Sequence, residues 1–138
     1  MHDGGRSCVT LGVRGIVKFA VRARGAAYPT HSGNWGGVAP NPAWRLVEVL
    51  NSMRTPDGHV LIDGFYDDVP PFSADVQAMM RAVPDDTAAM KRLYGLGSTD
   101  GAAQSLQEGL NLPAFSVHMM QGGEVGGVIA ARATAEIA

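Results

Sequence analysis

The chain has a single cysteine, Cys8, so no intrachain disulfide can form and no paired-cysteine metal motif is available. A reducing compartment is the simplest expectation. No stretch approaches the ~20 consecutive apolar residues that a membrane-spanning helix needs. The opening Met1-His2-Asp3-Gly4-Gly5 lacks the apolar core of a secretory signal, so a cytoplasmic location is expected. Charge is also scarce. Only 17% of residues are charged and the formal net charge is -2, which provides no electrostatic footprint for nucleic acid or an anionic membrane.

What is present is ordinary globular material. Hydrophobic residues make up 46% of the 138, enough for one domain with a core of its own. A chain this long buries roughly 68% of its unfolded surface without help from disulfides or metals.

Residues 1–8 are small, polar and unpatterned and read as a linker, leaving 9–138 as one domain. From about Leu11 to Arg24 the chain alternates. Val17, Phe19, Val21 and Ala23 point one way, while Lys18, Arg22 and Arg24 point the other, the period of a half-buried strand. Residues 25–41 form a loop rich in Gly, Pro, Ser and Asn, long enough to suggest function. Asn41 then caps a helix that starts at Pro42, with Ala43, Leu46, Val47, Leu50 and Met53 in one apolar stripe. The turn Thr55-Pro56-Asp57-Gly58 ends it.

The middle of the chain is less regular, and a helical insertion is expected at about 64–110. His59 to Ile62 reads as a short strand. Ser73 caps a helix to about Ala82, with Val76, Met79 and Met80 inward, and Asp85 or Asp86 caps another to about Tyr94. A third helix is expected over Ala102–Glu108, stopped at Gly109. Phe115, Val117 and Met119 alternate in a strand over about 114–120. After Gln121-Gly122-Gly123, a last strand covers about Val125 to Ile137. The expected fold is therefore an antiparallel sheet of three main strands, covered on one face by the helix over 42–53.

Few residues could carry chemistry. His2, His31, His59 and His118 are scattered, with no helical i, i+4 pair, which argues against a metal site in this chain. His2 falls in the leader, His59 follows a turn glycine, and His118 falls on the strand face opposite Phe115. Asp67-Asp68 reads as a solvated turn more readily than as an acid/base pair. Ser32 beside His31 is no catalytic pair, because no buried acid is placed to orient the base. Phe19 and Phe115 alternate into the expected core and so do not form an RNA-stacking platform.

His31 stands apart. It lies in Thr30-His31-Ser32-Gly33-Asn34-Trp35-Gly36-Gly37, between a strand and a helix, and an imidazole can donate a hydrogen bond to a developing oxyanion. The residues alone favour a histidine that merely bonds its own turn.

Taken in order, several segments resemble the inserted lid domain of the carnosinase / carboxypeptidase / acetylornithine deacetylase superfamily of di-zinc hydrolases. They are the first strand, Tyr28-Pro29-Thr30-His31-Ser32-Gly33, Ala39-Pro40-Asn41-Pro42-Ala43 and Ile62-Asp63-Gly64-Phe65-Tyr66-Asp67-Asp68-Val69. Leu112-Pro113-Ala114-Phe115-Ser116-Val117, the Gly122-Gly123 turn and Val128-Ile129-Ala130 extend the match from about Val9 onward.

The resemblance implies a two-layer α+β, ferredoxin-like sandwich with helices on one face, here lacking the last helix and strand. It also implies a dimerisation and substrate-capping lid of a peptidase or amidohydrolase, acting as a homodimer on peptide or acyl-amino-acid substrates. His31 would reach into the partner subunit's active site to polarise the scissile carbonyl. The zinc ions, the activated water and the general base would belong to a separate catalytic domain. On this expectation the chain itself holds no cofactor and is inactive alone.

Two departures stand out. Where the family often has Thr or Asn before Val-Ile-Pro, this chain has Gly127, with Ala130 in place of the proline. The chain also stops at Ala138, inside the expected third strand, before the family's substrate-carboxylate arginine. The alternative is a free-standing α+β domain that binds a small molecule or peptide.

Overall fold

The computed structural model describes residues 12–100, 103, 105–123 and 126–138. The elements in order are β1 (Phe19–Arg24), β2 (Thr30–His31), α1 (Ser32–Trp35), α2 (Pro42–Ser52), α3 (Ala74–Ala82), α4 (Thr87–Tyr94), α5 (Leu106–Asn111), β3 (Val117–Gln121), β4 (Val128–Ile129) and β5 (Arg132–Ile137). The architecture is α+β. A three-stranded antiparallel sheet runs β1-β5-β3, and β2 and β4 form a separate antiparallel pair.

The last strand is central because it alone carries a fully buried face. Ala133, Ala135 and Ile137 are buried, and the alternate positions Arg132 and Glu136 are exposed. Two alanines at the helix-facing positions let α2 approach closely. Leu46 of α2 is 0% exposed and packs on Ala133 and Ala135, with Val21, Ala23, Ala43 and Leu50 around them. Burying one such leucine stabilises the fold by about 1.5–3 kcal/mol. Gly122 belongs to the same close packing, since a Cβ there would lie 2.7 Å from the Ala133 Cβ.

The start and end of α2 follow from local chemistry. The Asn41 side chain accepts from the Ala43 N–H, and Pro42 stands where its missing N–H is not needed. After Ser52 the chain turns back at Thr55–Gly58, where the Gly58 N–H donates to the Thr55 carbonyl and Gly58 takes φ 94. The three helices that follow α2 are capped locally. Ser73 accepts from Val76 and Ser105 from Glu108, while Asp85, one residue before the Asp86 cap, accepts from both the N–H and the hydroxyl of Thr87.

Several expectations need correction. The first strand begins at Phe19, not near 11; residues 12–18 belong to no strand, Val17 is 77% exposed and Phe19 43% exposed. The alternating positions are partly buried only at Val21 and Ala23, which pack against the Leu46, Ala133 and Ala135 cluster, whereas Phe19 stays exposed although it pairs with Ile137. Residues 59–62 make a single bridge, Arg54 to Val60, and no strand. The third helix is Leu106–Asn111, so Gly109 lies inside it; the Ser105 cap sets its start.

The strand over 114–120 begins at Val117. Its register shifts between Val117 and Met119, so His118 is the extra residue of a bulge. The long final strand is two strands, broken at Ala130-Ala131, with β4 turned aside to pair with β2. Val47, Val76 and Met79 are exposed rather than inward. The leader at 1–8 lies outside the described residues.

Candidate functional site

The segment expected as a loop over 25–41 is built, not slack. Thr30 pairs with Ile129 and His31 with Val128, and Ser32–Trp35 closes a single helical turn. Two donors of Ser32 converge on one acceptor. Its N–H and its hydroxyl reach the Gly127 carbonyl at 2.8 and 2.6 Å, which ties the His31 turn to the β4 hairpin. Gly127 takes φ 70, a conformation that glycine adopts without cost.

His31 caps this turn. Its Nδ1 accepts the Gly33 N–H at 3.0 Å, so Nδ1 must present a lone pair. In the neutral ring the proton then sits on Nε2, and His31 itself is exposed. The result is an exposed imidazole whose Nδ1 is engaged by its own turn. Of the two readings the sequence left open, the bond to its own turn is present, and it occupies only Nδ1. Gly33 is required by this arrangement, because a Cβ there would lie 2.8 Å from the His31 Cε1.

The other candidates do not join it. His59 stacks on Tyr66 with ring centroids 4.9 Å apart, and the Tyr66 hydroxyl accepts from the Val60 N–H, so this ring supports a turn. His118, on the β3 bulge, lines an apolar cleft of about 1030 Å³ whose walls include Ile16, Val17, Phe19, Phe72 and Phe115. Arg14, Ser73, Asn111 and Ser116 are the other polar residues in its lining, and His31 is not among them. Asp67 and Asp68 are exposed in a turn. Ser32 serves the clamp rather than forming a pair with His31. Among the described residues no three His, Cys, Asp or Glu side chains come together in a way that could hold a metal, so they do not fit a metal centre. No helix among them is long and apolar enough to cross a membrane.

Sequence reasoning missed the Ser32–Gly127 clamp. The signal available was the Gly126-Gly127 pair ahead of Val128-Ile129, with Ala130-Ala131 after it, a break inside what read as one strand.

No family model matches the chain. Among curated proteins it is similar to the Beta-Ala-His dipeptidase of Mus musculus, 27% identical over 119 residues, covering 85% of this chain and 24% of that protein. It is also similar to the Cys-Gly metallodipeptidase of Saccharomyces cerevisiae, 27% identical over 116 residues, 83% of this chain and 24% of that one. Among solved structures, an M20 family metallo-carboxypeptidase from Sulfolobus solfataricus superposes with a TM-score of 0.83 over 99% of this chain and 37% of that chain, at 23% identity. Human carnosine dipeptidase 1 superposes at 0.73, with 25% identity over 87% of this chain and 27% of that chain.

The fold is that of a domain of dipeptidase-like M20 metallopeptidases. The chain spans about a quarter of the length of the curated relatives it matches. A metal belongs to such metallopeptidases as their names state, and this domain's described residues offer it no cluster.

Proposed function

We propose that the chain is the dimerisation and substrate-capping lid domain of a zinc-dependent peptidase or amidohydrolase that acts as a homodimer on peptide or acyl-amino-acid substrates. In this reading the metals lie outside the residues described here, and His31 works in the partner subunit's active site. The observation that carries it is the His31 turn: an exposed imidazole whose Nδ1 is held by the Gly33 N–H and whose base is clamped to Gly127.

An exposed donor on a turn of this kind can serve a reacting group supplied from elsewhere. Such a donor stabilises a carbonyl oxygen as negative charge develops on it, and its preset tautomer means no reorganisation at that moment. The exposed surface supports the same reading. Val17, Tyr28, Trp35, Val38 and Trp44 are among the large apolar side chains left open.

The test is His31→Ala in the longer, dimeric protein, assayed by hydrolysis of a dipeptide substrate. Turnover is expected to fall roughly 100- to 1000-fold, equivalent to about 2.7–4 kcal/mol of barrier, with metal content and dimer mass unchanged. Turnover close to the parent's would refute the catalytic role.

A further inference from the structure

The face of the main sheet turned away from α2 carries an arrangement that the His31 reading does not use. Arg24 of β1 stands directly opposite Arg132 of β5, and Arg22 stands opposite Thr134, diagonal to Arg132. All three arginines are exposed and alternate with the buried or half-buried positions Ala23, Ala133 and Ala135, so they share the open face.

The Gly25 N–H donates to the Ala131 carbonyl at 2.9 Å, which makes 25 and 131 a hydrogen-bonded pair. Arg24 and Arg132 therefore fall at the next, narrow position, where opposed side chains stand closest. Like charges directly opposite each other destabilise a sheet. No ion pair among the described residues relieves them; Glu136, at the far end of the same face, stands opposite Ala20.

Beside Arg132 the surface is concave. A basin of about 520 Å³ is lined by Arg132, Thr134, Gln121, Tyr28 and the Gly122-Gly123 turn, among others. That volume lies within the roughly 300–1,000 Å³ typical of small-molecule sites. Its lining includes a guanidinium, an amide and a hydroxyl, each able to donate to an anionic oxygen. The planar fork of arginine matches two oxygens of one carboxylate or phosphate.

We propose that this basin, with Arg132 in its lining and Arg24 and Arg22 across the β1–β5 pair, binds the oxyanion group of a small molecule. The shared chemistry is a carboxylate or a phosphate whose charge relieves the arginine repulsion. The inference stands apart from the role of His31 and does not need it.

The 138-residue chain is titrated at fixed ionic strength with succinate and, separately, with inorganic phosphate, and backbone amide shifts are followed by NMR. Saturable shifts at Gln121, Gly122, Arg132 and Thr134 are expected with at least one of them. Saturation by succinate alone identifies a carboxylate site, by phosphate alone a phosphate site, and by both a general oxyanion site. Arg132→Gln should weaken the binding by about tenfold or more, the worth of one charge-assisted hydrogen bond. Lys18→Gln, an equal change of charge outside the basin, should not. The urea midpoint of ligand-free Arg132→Gln should equal or exceed that of the parent, and Arg24→Gln gives a second reading of the same relief.

No saturation with either anion would overturn the proposal, as would equal weakening by Lys18→Gln. Lowered urea midpoints in both arginine variants would also overturn it, by assigning the pair a structural role.

Discussion

A Cβ at position 33 would lie 2.8 Å from the His31 Cε1 and 3.0 Å from its Nδ1, so this glycine is set by its neighbour's ring rather than by its own backbone angles. Gly33→Ala should push the imidazole off the turn and break the bond from the Gly33 N–H. Long-range ¹⁵N correlation spectra of the chain near neutral pH should show one tautomer, protonated at Nε2, in the parent and a mixture in the variant. Thermal stability should change by no more than about 1 kcal/mol, because the ring is exposed and holds no core. A single unchanged tautomer in Gly33→Ala would show that the turn does not fix the ring. The sequence displayed His31 and its glycines plainly. It could not display the acceptor that anchors them, because Gly127 is 95 residues from Ser32 and contributes only a carbonyl oxygen.

At the scale of elements, local chemistry was legible and long-range pairing was not. The Asn41-Pro42 start of α2, its turn at 55–58 and the Ser73 cap all appear where the residue types place them, since each is decided within four residues. The strands were misjudged wherever their limits depend on a partner. Residues 12–18 alternate like a strand but have no strand beside them, and 125–137 reads as one run although β4 leaves to meet β2.

Asp85 shows a local tie with a measurable consequence. Its Oδ1 accepts from the Thr87 hydroxyl at 2.6 Å, from the Thr87 N–H at 3.3 Å and from the Leu106 N–H at 3.4 Å, joining the starts of α4 and α5. The Thr87 hydroxyl bond, followed by the two backbone bonds, holds this carboxyl below its ordinary value of 3.8. A depressed folded-state value means that the folded chain binds the proton less readily than the unfolded one. The stabilisation is therefore present above pH 3.8 and lost as pH falls through the lower folded value. Asp85→Asn should accordingly be less stable than the parent at pH 6, and the gap should narrow steadily in acid. Urea midpoints measured across that range check this; a gap that does not change with pH would contradict it.

For the whole molecule, the weight falls on surface. Among the described residues the fully buried core is small, built on Leu46, Ala133, Ala135 and Ile137, while many large apolar side chains stand open. Under the proposed dimeric lid reading, a partner subunit would cover part of that surface and supply the His31 donor with a target. The most direct measurement is made on a purified mixed dimer of the longer protein, in which one subunit carries His31→Ala and the other has its metal site disabled. Each homodimer of these variants is inactive or nearly so. In the mixed dimer one site combines an intact metal with a histidine donated by its neighbour, so about half of the parent's activity should return. Activity no higher than that of the two inactive homodimers would contradict action across the dimer.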